Sequence, residues 1–556
     1  MQNGQLPLDL LHWGLALAPI IVLLVLLVGL RWQAPEAGPI GMFVAMAIAL
    51  LAYQTPWDTL AVAGAKGIWD AVFILYVVWP ALLLYRVADR AGAFEALRQG
   101  IERFSKNDLF LVLAFGWVFA SFLQGIAGFG TPIAVVAPLL LALGVKPIYA
   151  VVIPLIGHAW ANMFGTLAVG WLATLQVVDL QNVVETAFQT AILLWVPNLV
   201  AGFTIAWMFG RMKGVAHAWP FVLIISALHG GLQLGLVLWD PILSNFLAAT
   251  VALVALYPLS RWKRYSEQPE GIDDRPAMRD DGGEEAEEEE AAAELEPVMS
   301  FRMSLMPYVV LTVAAVAVLV ISPVEAFLEQ FEIGMPFPEV GTGYDAGAEA
   351  EAPYDPFSPL THPGTFLLIA TLAAYVIYRA KGYYDRWQEE TEEKEPGIWG
   401  GLVGDAIPAS LAVIAFLVMS KVMDHSGQTE VLAMGIAEVS GPVVFAFASS
   451  WIGVLGAFMT SSNTASNILF APLQQSTVQA MEGLSEPTII GAQSAGGALG
   501  TAIAPANVVL GTGTAGIIGR EGEVLRKTLV WALFVAVLLG GLTIVLNGMT
   551  FIGGNG

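Results

Sequence analysis

The sequence predicts an all-α polytopic membrane protein of about 14–16 membrane segments, some broken or re-entrant, built as two inverted structural repeats. Three observations carry that expectation. Of 556 residues, 56% are hydrophobic and only 13% charged, about half the charged share of a soluble domain. Apolar runs such as residues 15–30 recur along the chain, each near the roughly 20 residues a helix needs to cross a bilayer. Finally, residues 116–138 (GWVFASFLQGIAGFGTPIAVVAP) and 450–472 (SWIGVLGAFMTSSNTASNILFAP) match each other. Trp117 recurs as Trp451 and Pro138 as Pro472, each 334 positions on; Gly165-Thr166 recurs as Gly500-Thr501 at 335. Paired, interrupted hydrophobic segments in corresponding halves point to the substrate site of a secondary transporter.

Spans are expected at 10–31, 39–54, 68–87, 108–125, 127–145, 147–170, 187–209, 218–238, 241–259, 303–322, 363–379, 400–421, 431–449, a broken 451–478, 488–513 and 528–548. The first run is long, is followed by Arg31 and Trp32, and lacks a small-residue cleavage site; it reads as a retained helix. Residues 88–107 are amphipathic, with Arg90, Arg98 and Arg103 expected on the polar side, as suits a helix at the interface. The organisation expected is 1–107, N-terminal helices with that interfacial helix; 108–259, first repeat core and following helices; 260–302, a cytoplasmic linker; 303–430, second-half scaffold; 431–556, second repeat core and C-terminal helix.

Lys and Arg gather in 86–107, 210–216, 260–302, 379–394 and 520–527, while 171–186 and 323–360 contain none. The basic loops should be cytoplasmic, leaving both termini outside. Residues 108–125 then run outward and 442–459 inward, so the two copies should be inverted.

The net charge of −23 is concentrated outside the spans, chiefly in 266–296 with its run Glu284–Glu290. Such a block repels itself and is expected to be a disordered, dispensable linker; acidic loops elsewhere leave adaptation to a salty cytoplasm as a second reading. Acidity of this kind offers nothing to nucleic acid. Cysteine is absent, which excludes disulfides, thiolate metal sites and cysteine nucleophiles. No HExxH, GxSxG or GxxxxGK[ST] occurs, so neither an enzyme nor an ATP-driven pump is expected. No cofactor or bound metal is expected, beyond a co-transported proton or sodium ion.

Chemistry concentrates in the two matched stretches. In residues 125–132 (GIAGFGTP), three glycines and a proline interrupt any helix. A helix starting near Thr131 has Pro132 in its first turn, where proline fits. Its free N–H groups at Gly128, Gly130 and Thr131 could hold an anion; a kinked helix with tightly packing glycines is the alternative. Residues 460–467 place seven hydroxyl or amide side chains in eight positions. Ser461, Ser462, Asn463, Thr464 and Asn467 offer neutral donors and acceptors for a small hydroxy acid, or oxygens for sodium; helix–helix glue is the plainer reading. Downstream, each half adds polar groups: His158, Asn162 and Thr166 in the first, Gln493, Ser494, Thr501 and Asn507 in the second. Ionisable groups near spans, Asp70, His158, His229, Asp405 and Glu438, are functional candidates by default. Asp70 and Asp405 lie near expected helix ends and could instead be interfacial.

In these two stretches the chain resembles the lactate permease family of lactate and glycolate transporters. The family's first signature reads like E-G-x-x-G-F-G-x-P-x-A, against QGIAGFGTPIA at 124–134. Its second reads like G-x-F-x-T-G-S-x-T-x-x-N-x-L-F-x-x-L-Q, against GAFMTSSNTASNILFAPLQ at 456–474. The resemblance implies a plasma-membrane, multi-pass symporter importing a short 2-hydroxy monocarboxylate: L-lactate first, with D-lactate or glycolate as alternatives. The family glutamate is Gln124 here, and the usual acidic position of the second motif is Asn463. With both carboxylates gone, the coupling candidates are Gln124 itself, His158, Glu438 and Asp70, or a sodium ion. An anion channel, or a sodium symporter for another organic anion, is the competing reading. The lipid bilayer, the hydroxy acid and a homo-oligomeric copy are the expected partners.

Overall fold

The computed structural model describes residues 6–128, 130–269, 271–272, 274–279, 297–319, 321–344, 346–391, 397–549 and 551. Among them ten helices are long and apolar enough to cross a membrane, or up to twelve if each of two bent pairs is one span. One of the ten, Val183–Leu236, holds 54 residues. At 1.5 Å per residue it measures about 80 Å, more than twice the hydrocarbon core. It is two spans joined at Gly210 and Arg211, where Arg211 adopts φ 51°. Other expected segments are short or polar pieces, such as Thr131–Ala142 and Asn463–Ala480.

Helix ends follow local chemistry. Asn107 caps the helix that begins at Asp108 by accepting from Phe110 N, and Asp240 accepts from Ile242 N, each satisfying an orphan donor of the first turn. Hydroxyls facing apolar surroundings bond back to their own helix: Thr174, Thr190, Thr371 and Thr477 each reach the carbonyl four residues earlier. With no water in the hydrocarbon region, that is how such groups stay satisfied.

Contacts between loops sort the chain ends into two sets. In one, Thr59 Oγ1 donates to Gly341 O at 2.8 Å, Gln181 N to Glu486 Oε2 at 2.9 Å, and Ser485 N to Asn547 Oδ1 at 2.9 Å. In the other, Arg275 pairs with Asp108 at 2.9 Å, Lys146 N donates to Ala277 O at 2.8 Å, and Lys527 reaches the Tyr149 hydroxyl at 3.2 Å. The second set holds the basic loops and is called inner here; the first is called outer.

Both matched stretches form helical hairpins. The helix Asp108–Ile126 is followed by Thr131–Ala142, which folds back along it: a Cβ on Gly116 would meet Leu140 Cδ1 at 3.8 Å. Both open ends of this hairpin, Asp108 and Lys146, lie in the inner set. Similarly Asn463–Ala480 folds back along Pro442–Thr460, with Gln474 Nε2 donating to Ser449 O and Ser466 Oγ to Gly453 O, each at 2.9 Å. Its open end meets the outer set, where Asn547 Nδ2 donates to Gly483 O at 2.7 Å. The sequence predicts one broken crossing over 451–478; the observed chain instead reverses at the break.

A broken helix follows each hairpin. The first is Pro147–Ala159, a tight turn Trp160–Asn162, and Gly165–Leu175, bent by 50°. The second is Glu486–Gly500, a tight turn Thr501–Ile503, and Pro505–Thr514. They run in opposite senses, from inner to outer and from outer to inner. Each packs so closely on its hairpin that only glycine fits. A Cβ on Gly157 would stand 1.9 Å from Gly116 O, and one on Gly496 1.9 Å from Ser450 O.

Three expectations need correction. Arg98 is buried rather than on a polar face: the helix Ala93–Glu102 tucks against its neighbours, and Arg98 Nε bonds Glu95 at 2.8 Å. The Glu284–Glu290 run lies outside the described residues, but the start of the linker is folded. Besides the Arg275–Asp108 pair, Val145 bridges to Met278. The loop 323–360 contains an antiparallel pair, Ile333–Phe337 with Glu351–Phe357, whose prolines hid it from a strand pattern.

Candidate substrate site

The first hairpin turns where Ala127 becomes extended (φ −136°, ψ 99°) and Gly130 takes φ 86°. A side chain at that angle is strained, so glycine suits it. Pro132 then sits in the first turn of Thr131–Ala142. The second hairpin turns at Ser461 (φ 58°), and Ser462 caps Asn463–Ala480 through its hydroxyl, which accepts from Ala465 N at 3.2 Å. Thr460 Oγ1 donates to Gly456 O at 2.8 Å. Ser461 Oγ accepts from Ala506 N at 3.2 Å, tying the turn to the second broken helix.

These two turns face one cavity of about 70 Å³, lined by Gln124, Gly128, Gly130, His158, Asn162, Gly165, Thr166, Val169, Ser461, Ser462, Asn463, Thr464, Thr501 and Asn507. That is room for several waters or one small organic anion. Twelve of the lining residues, all but Gly165 and Val169, are candidates singled out from sequence. The tight turns of the two broken helices touch there, Asn162 Nδ2 donating to Thr501 Oγ1 at 3.0 Å. Thr166, Leu167 and Ala168 all have φ between 51° and 62°. Three non-glycine residues in that region constitute strain of the kind that clusters at functional sites.

The described lining contains no Lys, Arg, Asp or Glu. Positive field comes from backbone: the return arms of both hairpins begin at the cavity with the positive ends of their dipoles. In the first arm Thr131 N and Ile133 N already donate to Gly128 O and Gly130 O, at 3.1 and 3.0 Å, and Pro132 has no N–H, so that arm contributes its dipole and not free donors. Asn463 is the least satisfied side chain. Its Nδ2 finds only Met163 Sδ at 3.5 Å, a weak acceptor, and its Oδ1 is buried without a partner. His158 Nδ1 lies 2.5 Å from Pro154 O. A carbonyl can only accept, so that nitrogen carries the hydrogen, and in the neutral ring Nε2 holds the lone pair.

Other predicted residues lie outside the lining. Thr131 is buried in the first turn of its helix. Asn467 and Gln493 form a layer behind Asn463: Gln493 Nε2 donates to Ser466 Oγ at 3.2 Å and to Asn467 Oδ1 at 3.4 Å, and Gln474 Nε2 donates to Gln493 Oε1 at 2.6 Å. Glu438 is exposed on Gln428–Val439. Asp70 sits in a separate buried cluster. It pairs with Lys421 at 3.1 Å and accepts from the Tyr354 hydroxyl at 3.2 Å, while nearby Lys66 pairs with Glu351 at 2.7 Å. Lys421 also donates to Gln176 O at 2.8 Å, just past the first broken helix. Sequence reasoning missed Val169 and Met163, which look like ordinary apolar positions, and Lys66 and Lys421, whose partners are remote in sequence.

The chain is similar to known permeases along nearly its whole length. A glycolate permease of Escherichia coli K12 (GlcA) is 28% identical over 563 residues, covering 98% of this chain and 96% of that protein. An L-lactate permease of Salmonella typhi is 26% identical, covering 95% and 94%. Among solved structures, MtrF of Neisseria gonorrhoeae superposes with a TM-score of 0.44 at 15% identity, covering 94% of this chain and 96% of that one, too loosely to argue from. The chain is a transporter and not an enzyme, a multi-pass membrane protein whose place in bacteria is the plasma membrane. The family model for L-lactate permease matches residues 14–550, and the chain belongs to that family.

Proposed function

We propose that the protein imports a short 2-hydroxy monocarboxylate, L-lactate first and D-lactate or glycolate next, by symport through the cavity between the hairpin turns. The observation that carries this reading is the convergence of two helix N-termini on a small cavity walled by hydroxyls and amides. Those N-termini suit a carboxylate. Asn463, Asn162 and Thr501 suit a 2-hydroxyl, which both donates and accepts. The family's permeases for L-lactate and glycolate support the same substrate class.

Alternating access fits hairpins that open to opposite sides, as an inverted repeat requires. For coupling, His158 is the favoured residue: it lines the cavity with its Nε2 lone pair unclaimed by the Pro154 bond. Gln124 cannot titrate, Glu438 stands away from the site, and Asp70 is engaged by Lys421. Sodium bound by the same oxygens is the competing coupling ion. Labelled L-lactate uptake into proteoliposomes, with a proton or a sodium gradient imposed one at a time, tests this. Uptake above equilibrium driven by a proton gradient, and weakened in His158→Gln, supports the reading. Equilibration without counterflow under either gradient would mean a channel and sink it.

A further inference from the structure

A second cavity, of about 550 Å³, lies away from the substrate site, between Pro241–Ser260 and Met306–Leu319. One wall runs from Phe246 to Pro258, and Phe122 lines the groove as well. Twelve residues at 1.5 Å each give about 18 Å, close to half the ~30 Å hydrocarbon core and so to the depth of one leaflet. Its two threonines commit their hydroxyls inward, Thr250 to Phe246 O and Thr312 to Tyr308 O, both at 2.8 Å, so they present methyl groups.

One end is ringed by aromatics: Phe104 stands 5.7 Å from Tyr257 and 5.9 Å from Phe301. An exposed arginine adjoins each ring. Arg103 precedes Phe104 and Arg302 follows Phe301 in the chain. The Arg261 guanidinium donates to the Tyr257 hydroxyl at 3.2 Å and lies over its ring at 5.1 Å. These arginines belong to the basic loops of the inner set.

We propose that this groove binds one acyl chain of an anionic phospholipid from the inner leaflet, with Arg103, Arg261 and Arg302 around its phosphate. An apolar slot one leaflet deep fits a single acyl chain, and the cationic mouth selects the headgroup. The tail would abut the first hairpin, because Phe122 lies on it and the Phe246 backbone packs against Gly125.

The test is native mass spectrometry of the full-length protein, delipidated in mild detergent and supplied with phosphatidylglycerol or phosphatidylcholine. The wild type should retain one phosphatidylglycerol under washing that strips phosphatidylcholine. Val254→Trp, which fills the groove, should retain neither, while Val537→Trp on a remote lipid-facing helix should behave as wild type. The triple variant Arg103→Gln, Arg261→Gln, Arg302→Gln should lose the preference for phosphatidylglycerol. Equal retention of both lipids by the wild type, undiminished phosphatidylglycerol on Val254→Trp, or a second copy of the chain occupying the groove would each overturn the proposal.

Discussion

Asn463 is the residue on which the substrate reading turns. It leaves a buried oxygen unpartnered and a donor resting on a thioether, an arrangement that a bound hydroxy acid would complete. Asn463→Ala should weaken lactate binding about fivefold to a hundredfold, the worth of one lost bond to a buried group, with no loss of fold. Gly497 probes the same point from behind: a Cβ there would stand 2.3 Å from Asn463 Oδ1. Gly497→Ala should displace the amide and reduce uptake while the protein still inserts. Ser462 differs, because its hydroxyl caps a helix. Ser462→Ala should lower stability by about 1 kcal/mol, read as a shift in thermal unfolding. Residues 460–467 were legible because seven polar side chains interrupt an apolar run. Met163 was not, since a thioether acting as an acceptor looks like any core methionine.

At the scale of elements, glycine, proline and serine clusters marked where helices break. The separate spans 108–125 and 127–145 imply the reversal of the first hairpin; that of the second, where 451–478 reads as one broken crossing, is not legible because hydrophobic periodicity says nothing about direction. Nor is the Asp70–Lys421 pair, whose members are far apart in the chain and meet only through tertiary packing. Lys421→Met should destabilise by about 3–5 kcal/mol by leaving Asp70 buried and uncompensated; Asp70→Asn with Lys421→Met should recover most of that in a thermal melt. The folded start of the linker changes what its deletion should do. Removing 281–295 should leave uptake intact. Extending the deletion to 268 removes Arg275 and Met278 from the foot of the first hairpin and should lower both stability and uptake.

Across the whole molecule, the Lys/Arg distribution and the loop contacts divide the chain in the same way. That division was legible because charge bias acts on loops, whatever the helices between them do. Since the chain has no cysteine, single cysteines report sidedness cleanly. A membrane-impermeant maleimide applied to intact cells should label Glu349→Cys and spare Glu267→Cys, both exposed positions; the reverse pattern would invert the topology. The hairpins open to opposite sides, and Gly157 packs on Gly116 as Gly496 packs on Ser450; an inverted relation of the halves is our proposal from these two facts.

The central claim is that neutral groups at the two hairpin turns recognise both the carboxylate and the 2-hydroxyl of the substrate. Competition against labelled L-lactate binding to the purified protein tests it most directly. Glycolate keeps the hydroxyl and should compete; propionate keeps the carboxylate and the carbon chain but lacks it. A site built around a hydroxyl leaves its own buried groups unpaired when the hydroxyl is missing, so propionate should compete at least about tenfold more weakly, and Asn463→Ala should narrow that gap. Equal competition by propionate and glycolate in the wild type would contradict the account.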